Sequence, residues 1–367
     1  MATIISFILI LALLILVHEL GHFVTAIKLG VDVEEFGIGF PPRLFSFKKG
    51  KVIYSVNLIP LGGFVKIKGE AGDHGDDPHS FVNQKFWKRA SIISAGVLMN
   101  FVVAFVLLAV SFYFGLPQAL DGTEDVSQVR DRHTVIAEIL EDSPAQGVGL
   151  EVGDIIVLIN NQLVIDAEMV SNQITESQGQ EINLVVDRQG QEYQFEIQPQ
   201  SITDSQGPII GVGMVETGVI DYGFFASIWQ GIKIGFLIMI MTVKAFYNLI
   251  VNLISHGQLD ARLSGPVGVA VLTGEMVKLG WIYVLQFMAI LSINLGIINF
   301  LPFPALDGGR ILFLMIEKIR GRSLNMKLEN WLHNSGFIIL IVLIIFITFR
   351  DINRYSNNIM DFFKNLF

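Results

Sequence analysis

The chain has 367 residues, of which 52% are hydrophobic and only 16% are charged, and its formal net charge is −9. This composition is too apolar for an ordinary soluble domain and indicates a membrane protein. The sequence contains no cysteine, which excludes disulfides and thiolate ligands, so any bound metal must use nitrogen and oxygen ligands.

The first predicted element is a transmembrane helix at residues 1–28, which contains the sequence HELGH at 18–22. No basic segment precedes its apolar stretch and no small-residue cleavage site follows it, so we expect a retained helix rather than a signal peptide. In the following region, 29–88, β-branched and aromatic residues alternate with polar ones over 34–69. This pattern, with Gly and Pro at the turns, predicts a membrane-associated β-hairpin or small sheet, and a polar connector follows at 70–80.

The second transmembrane helix is predicted at 89–116, and the composition then becomes that of a soluble domain. Short strand-like runs and one helical stretch predict a single inserted α+β module at 117–218. Apolar sequence returns in a third transmembrane helix and loop at 281–328 and in a fourth helix and tail at 329–367. The expected fold is therefore membrane α-helical, with about four transmembrane helices, a membrane-associated sheet and one inserted domain.

Charge is distributed unevenly along the chain. Lys and Arg are concentrated in 29–91 and 304–328, whereas Asp and Glu dominate 115–225. The positive-inside rule places the two basic segments on the cytoplasmic side and the acidic segment, with its inserted module, outside the cytoplasm. Because an acidic domain repels phosphates, we expect no nucleic-acid binding.

Residues 219–280 are ambiguous because they include 224–254, a hydrophobic stretch long enough to cross the membrane. If this stretch crossed, the third predicted span would start in the cytoplasm, and Asp307 would lie on the opposite side of the membrane from HELGH. If the two motifs form one site, the segment must instead be interfacial or re-entrant, as an amphipathic helix can be. The stretch carries polar residues near one helical face: Gln230, Lys233, Lys244, Asn248 and Asn252.

The candidate chemistry is concentrated in HELGH. His18 and His22 are four residues apart, so on a helix they share one face and suit two positions of a tetrahedral zinc, while Glu19 lies beside them as a candidate base. Catalytic zinc needs a third protein ligand, and the best candidate is Asp307 in LDGG, after prolines that break an apolar helix. The alternatives are a polar helix cap and an ordinary turn. Clustered ionisable groups on an apolar helix favour the functional interpretation.

The remaining histidines lack a second ligand at a recognisable spacing. These histidines are His74, His79, His133, His256 and His333. We therefore expect them to be structural or solvated. A second metal held by His74 and His79 with Asp73, Asp76 and Asp77 is the alternative, but an acidic, Gly-rich connector needs no such role.

HELGH, AGVLMN (with Ala95, Gly96 and Asn100) and SINLGIINFLPFPALDGG follow one another along the chain. Together these motifs resemble the site-2 protease family of intramembrane zinc metalloproteases, especially its bacterial regulator-of-sigma-E protease branch. FGIGF and LIPLGGFVKIKGE resemble the membrane-associated β-region of that branch, and VIAEILEDSPAQGVGLEVGDIIVLINNQLV resembles a PDZ domain. Two features differ: Val97 stands where the family often has proline, and one PDZ-like module stands where the best-known members have two.

The resemblance implies a zinc endopeptidase that cuts transmembrane segments of single-span membrane proteins in regulated intramembrane proteolysis. It implies substrates that a site-1-type protease has already cut, such as anti-sigma factor remnants, or retained signal peptides. The implied location is the bacterial inner membrane, with the active site toward the cytoplasm and the PDZ-like domain outside. The implied site holds one Zn2+ on His18, His22 and Asp307, with Glu19 as catalytic acid/base and Asn294 and Asn299 as substrate-binding residues.

The β-region offers an edge strand to an unwound substrate, and we expect Val56 and Val65 to be edge positions. The PDZ-like module is expected either to bind an exposed C-terminus or to exclude bulky ectodomains. A non-catalytic, PDZ-bearing membrane scaffold is the alternative function, which the presence of Glu19 disfavours. A metal transporter would need polar residues at mid-membrane in several helices, whereas those here gather at one side.

Overall fold

The computed structural model describes residues 2–70, 76–120, 129–140, 142–188, 190–201, 207–256, 265–322 and 326–354. His74 in the predicted connector and the end of the predicted C-terminal tail lie outside these ranges. The chain divides into two compact units. The membrane unit comprises Met1–Ser111 and Ser227–Phe367, and the inserted unit comprises Phe112–Ala226.

The membrane unit begins with a helix, a pair of long strands and a second helix. An uninterrupted apolar run, FILILALLILV, leads into HELGH within the first helix, as expected of a membrane helix that carries a polar motif near one end. Gly50, at φ +64°, makes the left-handed turn between the two strands. These elements are α1 (Ala2–Lys28), β1 (Val33–Lys49), β2 (Val52–Ile67) and α2 (Phe86–Tyr113).

The inserted unit consists mainly of strands. They are β3 (Gln118–Ala119), β4 (Val129–Ile139), β5 (Ile155–Ile159), β6 (Gln162–Leu163), β7 (Ile182–Arg188), β8 (Gln191–Ile197), β9 (Gln200–Ser201), β10 (Pro208–Ile209) and β11 (Val212–Ile220), with α3 (Pro144–Val148) before β5 and α4 (Ala167–Glu176) before β7. The main sheet has the order β3-β11-β4-β5-β7-β8, and β6 pairs with β5. Asp166 caps α4 by accepting the N–H of Met169, and buried aliphatic residues, among them Ile136, Ile159 and Leu184, form the core.

Five helices complete the membrane unit: α5 (Phe224–His256), α6 (Pro266–Leu279), α7 (Trp281–Phe300), α8 (Asp307–Arg320) and α9 (Met326–Arg354). Proline occupies the first position of α6, where its missing N–H costs no helical bond. Two prolines, Pro302 and Pro304, separate α7 from α8 because a proline cannot continue the hydrogen-bond ladder of the preceding helix.

Within the described ranges, five helices are long and apolar enough to cross a membrane. One of them coincides with the stretch 224–254, for which the sequence predicts an interfacial or re-entrant position. The candidate spans are Thr3–Lys28, Phe86–Tyr113, Phe224–Asn252, Trp281–Phe300 and Lys327–Arg354.

β1 and β2 form a sheet that folds back on itself, so that parts of one strand have a neighbour on both sides. Val56 is opposite Ile38 on one side and Phe45 on the other. It is therefore an interior position, and its prediction as an edge position is wrong. Alternation along a strand shows which residues share a face, but it does not show how many neighbours the strand has.

Residues 63–67, here called the edge strand, lie at one border of this sheet. Val65 is opposite Phe36 on one side, and β1 and β2 are the only strands of this sheet in the described part of the chain. Beneath the sheet, a buried cluster joins α1, α2 and α8 to both strands through residues such as Ala26, Ile92 and Ile311. The edge strand is thereby packed against the helices that carry the predicted site.

Candidate metal centre

The structure brings HELGH and LDGG together across 289 residues of sequence. His18 Nε2 lies 2.9 Å from Asp307 Oδ2, and His22 Nε2 lies 3.3 Å from the same oxygen. The two Nε2 atoms of His18 and His22 are 3.1 Å apart. The helical spacing of the histidines supplies one half of this cluster, and the first residue of α8 supplies the other.

The three side chains fit a zinc ion. Their ligand atoms all lie within 4.8 Å of one another, and no other such group of three occurs among the described residues. Ligands about 2.0–2.1 Å from a tetrahedral metal are about 3.3 Å from one another, close to the separations seen here. Two imidazoles and a carboxylate are also a donor set that zinc prefers.

The Asp307 carboxyl is ionised, as a metal ligand must be. Burial by itself raises the pKa of this carboxyl, but hydrogen bonds and charge interactions with His18 and His22 outweigh burial and hold the pKa below its usual value. The carboxylate is therefore available to a cation at neutral pH.

Each histidine has a second contact on its other ring nitrogen. His22 Nδ1–H donates to the backbone oxygen of Ile92 at 2.8 Å, which leaves Nε2 free for a metal in the neutral imidazole. His18 Nδ1 lies 3.3 Å from the amide nitrogen of Asn100, a fully buried residue whose Oδ1 has no hydrogen-bond partner. Exchanging the amide oxygen and nitrogen lets Oδ1 accept from His18 Nδ1–H, the arrangement that a metal on Nε2 requires.

Glycines allow α1 and α2 to cross closely at the site. A Cβ on Gly21 would come 2.3 Å from the backbone oxygen of Ala95. A Cβ on Gly96 would come 2.4 Å from His22 Nε2 and 2.8 Å from His18 Cε1, so it would fill the space beside the imidazoles. Val97, which replaces the proline of the family motif, is buried in a continuous α2.

Glu19 faces the edge strand. Its Oε2 accepts the backbone N–H of Val65 at 3.0 Å. Because that N–H serves Glu19, it points away from the neighbouring strand segment and out of the sheet. The candidate base and the sheet edge are therefore in direct contact.

The two predicted substrate-binding asparagines lie on α7 and differ in their contacts. Asn294 Oδ1 accepts a hydrogen bond from the Thr242 hydroxyl of α5 at 3.1 Å. The Asn299 side chain is partly exposed and has no hydrogen-bond partner among the described residues. The side-chain NH2 groups of both asparagines are therefore candidate donors.

The turn that carries Asp307 has contacts that the sequence did not reveal. Ala305 has φ +82°, and its N–H donates to Nδ1 of His333 on α9 at 3.2 Å. Cβ atoms on Gly308 and Gly309 would come within 2.2 and 2.3 Å of backbone oxygens of the preceding loop. The double glycine of LDGG signals this close approach, but no spacing rule links His333 to Ala305.

A helix that carries HExxH among membrane helices, completed by a distant carboxylate, defines an intramembrane zinc metalloprotease. Residues 6–343 match peptidase family M50, and the chain belongs to this family, the site-2 proteases. It is a multi-pass integral membrane protein and uses Zn2+.

Two bacterial relatives match nearly end to end. The zinc metalloprotease RasP of Geobacillus kaustophilus is 30% identical over an alignment 432 positions long, gaps included, which covers 96% of this chain and 98% of that protein. The regulator of sigma-W protease RasP of Bacillus subtilis is 28% identical over an alignment of 436 positions, again covering 96% of this chain and 98% of that protein.

Among solved structures, the PDZ domain of an SdrC-like protein from Listeria innocua is similar to part of this chain. The two are 22% identical, the match covers 22% of this chain and 92% of that domain, and the TM-score is 0.21. The PDZ-like interpretation of residues 117–218 remains a prediction from their sequence.

Proposed function

We propose that this chain hydrolyses peptide bonds within transmembrane segments of single-span membrane proteins, with His18, His22 and Asp307 as zinc ligands and Glu19 as catalytic acid/base. The observation that carries the proposal is the convergence of three donor atoms, at 2.9 to 3.3 Å, from two motifs at opposite ends of the sequence. Buried ionisable groups in a membrane protein are costly unless they serve a function.

Each residue has a role that its position suits. Zinc, when bound, supplies a Lewis acid that acidifies water and polarises the scissile carbonyl. Glu19, next to a ligand in sequence, takes the proton of the attacking water and delivers it to the leaving amine. The Val65 N–H holds the Glu19 carboxylate at the sheet edge, where the substrate backbone must pass.

The edge strand supports substrate binding by β-addition. A transmembrane substrate is helical, and its scissile amide is shielded until the helix unwinds. Backbone groups at the border of the sheet replace the lost helical bonds with interstrand ones. The contact between Val65 and Glu19 supports this proposal, because a peptide paired along 63–67 would lie next to the proposed base.

Asn294 and Asn299 are proposed to hold the substrate through their amide N–H groups. The Thr242 hydroxyl engages Asn294 Oδ1, which orients the amide nitrogen as a donor. Donors aimed at the substrate carbonyl or at the developing oxyanion contribute up to about 3 kcal/mol each.

We further infer that α5 re-enters the membrane without crossing it. A Cβ on Gly231 would come 2.6 Å from Ala109 of α2, and eleven residues later Thr242 contacts Asn294 of α7. Since Asn100 lies at the site, Ala109 lies on the part of α2 that leads away from it. α5 therefore packs along α2 from the end remote from the site to the depth of Asn294.

The next helix supports a return to that remote end. α6 packs on Thr3 of α1 through Gly274, and the N–H of Gly268 donates to Asp351 of α9 at 2.8 Å. Thr3 precedes His18 by 15 residues, so it lies about 22 Å from the site along the helix. α6 and the start of α7 thus share the end opposite the site, which is extracytoplasmic if the basic segments are cytoplasmic.

The proposed substrate class is supported by the chemistry of the site and by a relative. The Bacillus subtilis relative is named as a regulator of sigma-W. For this chain we propose anti-sigma factor remnants, cut first by a site-1-type protease, or retained signal peptides, in a bacterial inner membrane. The active site is proposed to face the cytoplasm, and the PDZ-like unit to lie outside.

The decisive experiment measures zinc content and cleavage of a single-span model substrate. Glu19→Gln should abolish cleavage and keep zinc, because the ligands are intact. Asp307→Ala should lose both. Continued cleavage by the Glu19→Gln variant would contradict the mechanism, and a wild-type protein that binds zinc but cleaves no transmembrane substrate would favour the scaffold.

A further inference from the structure

We propose that His333 of α9 is a positioning residue for the metal site: it holds the peptide of Ala305 in a conformation that presents Asp307 to His18 and His22. The inference rests on the proposed role of Asp307 as a ligand. It assigns a function to a histidine that the sequence alone predicts to be structural or solvated.

The turn before Asp307 contains a residue in an unfavourable backbone conformation. Ala305 has φ +82°, in the left-handed region where a Cβ crowds the following carbonyl. A non-glycine residue stays there only if its surroundings hold it. Strained positions of this kind gather at functional sites, and this one precedes a predicted ligand by two residues.

The hydrogen bonds of the turn show what holds Ala305. The N–H of Phe303 donates to Leu301 O at 2.7 Å, and the N–H of Leu306 donates to Phe303 O at 3.1 Å, so these bonds are local. The N–H of Ala305 instead donates to His333 Nδ1, 28 residues later, at 3.2 Å. The strained peptide is therefore anchored by another helix.

α9 touches the same turn at a second point. A Cβ on Gly336, one helical turn after His333, would come 2.4 Å from Pro304 O. Residues at positions i and i+3 share a helix face, so His333 and Gly336 bear on adjacent peptides of the turn. Because Gly336 has no side chain, α9 can lie close to the turn. At this short distance His333 can accept the hydrogen bond of the Ala305 N–H.

The position of the turn determines the position of the ligand. Asp307 is the first residue of α8, and its Oδ2 lies 2.9 Å from His18 Nε2. If Ala305 relaxes to a negative φ, the direction of the chain entering α8 changes and the carboxylate moves relative to the imidazoles. Contacts that orient the ligands of a metal site typically change its affinity by about 10–100-fold.

Substitutions at His333 distinguish the effect of losing the hydrogen-bond acceptor from the effect of changing the side-chain volume. The Asn side-chain oxygen takes the place of imidazole Nδ1, whereas the Gln oxygen reaches the place of Nε2. His333→Asn should therefore keep zinc affinity close to wild type, while His333→Gln and His333→Leu should weaken it about 10–100-fold. Affinity is measured on the full-length protein in detergent by competition with a zinc chelator.

A substitution at Ala305 tests the strain independently. Glycine accepts φ +82° without a crowded Cβ, so Ala305→Gly should restore part of the zinc affinity in the His333→Leu background. Equal zinc affinity in His333→Asn, →Gln and →Leu overturns the proposal. So does a loss of thermal stability, measured with the metal chelated, that occurs without a change in zinc affinity.

Asp307→Ala keeps this inference distinct from the proposed function. If Asp307→Ala loses zinc while all His333 variants keep it, His333 has no positioning role and the proposed ligand set stands. If Asp307→Ala keeps wild-type affinity, the ligand assignment itself fails. Should His333→Leu not fold, the Asn and Gln pair still decides, because both retain a polar side chain of similar size.

Discussion

Each unit contains a carboxylate with little solvent exposure, but the partners of the two carboxylates differ. In the inserted unit, Asp154 is 1% exposed and accepts from Arg188 Nε and Nη2, both at 2.7 Å, and from the Glu151 N–H at 2.9 Å. In the membrane unit, Asp307 faces two imidazoles, those of His18 and His22, and an imidazole, unlike a guanidinium, is not a permanent cation. One carboxylate is neutralised by a permanent cation of the protein, and the other is not.

This contrast shows how a buried charge can serve either stability or function. The hydrogen bonds that Arg188 donates to the Asp154 carboxylate raise the pKa of Arg188, so the ion pair persists at any physiological pH. The pair needs nothing from outside the chain. Asp307, His18 and His22 are instead the proposed ligands of an added cation, and they fit one. Removing zinc should therefore affect the membrane unit and spare the inserted unit.

Zinc removal should have the greatest consequence. At zinc concentrations about 1,000-fold above the Kd, binding stabilises the folded site by about 4 kcal/mol, and chelation removes this contribution together with cleavage. Hydrogen exchange should rise around HELGH in α1 and stay unchanged in β5 and β7 of the inserted unit. A uniform rise in both units would contradict the contrast between the two carboxylates.

Loss of Arg188, the cation that neutralises Asp154, should affect the inserted unit and spare the metal site. Arg188→Met leaves the Asp154 carboxylate buried without its partner and should destabilise the inserted unit by about 3 kcal/mol. Zinc affinity should not change. Urea unfolding followed by hydrogen exchange in β7 measures the effect, and the double variant Asp154→Leu with Arg188→Met should recover part of it. Weaker zinc binding in Arg188→Met would contradict the separation of the two units.

A methyl group beside the imidazoles should weaken the metal site. The new Cβ of Gly96→Ala would lie 2.4 Å from His22 Nε2, so α2 must shift, at a cost of about 2 kcal/mol, and zinc should bind roughly 30-fold more weakly. Gly147→Ala in α3 is the matched control, because its added methyl group would meet no atom within 4 Å and the helix should gain slightly in stability. Equal zinc affinities in both variants would show that the close crossing has no role.

A more modest change is expected at the edge strand. Val65→Pro removes the N–H that Glu19 accepts and should lower cleavage roughly tenfold, about 1.4 kcal/mol, with zinc content unchanged. Val65→Ala keeps the N–H and should cleave at nearly the wild-type rate. Equal loss in the Pro and Ala variants would assign the effect to the side chain and remove the support for β-addition.

The sequence predicted those parts of the site that depend on local periodicity. The i, i+4 spacing places His18 and His22 on one face of any helix, and ligand counting pointed to a third ligand elsewhere. Asp307 was the best candidate because it follows prolines that break an apolar helix, and the motif resemblance implied the same residue. No geometric rule connects positions 289 residues apart. The structure then supplied the distances.

Other features could not be read from the sequence, each for a physical reason. The edge prediction for Val56 failed because alternation does not report that β2 has neighbours on both sides there. No sequence pattern marks the contact of His333, because its partner is a backbone N–H, and backbone groups leave no trace in residue spacing. The contact of Thr242 with Asn294 joins two helices whose separation in sequence says nothing about their packing.

The long sequence separation between HELGH and Asp307 has a consequence for biosynthesis. At about 5–20 residues per second, roughly 15 to 60 seconds pass between translation of His18 and of Asp307. During that interval α1 can already be inserted with its two imidazoles and Glu19, but the third donor does not yet exist. With the proposed ligand set, a nascent or truncated chain that ends before Asp307 lacks a complete metal site, and we expect proteolysis to begin only after nearly the whole membrane unit has been made.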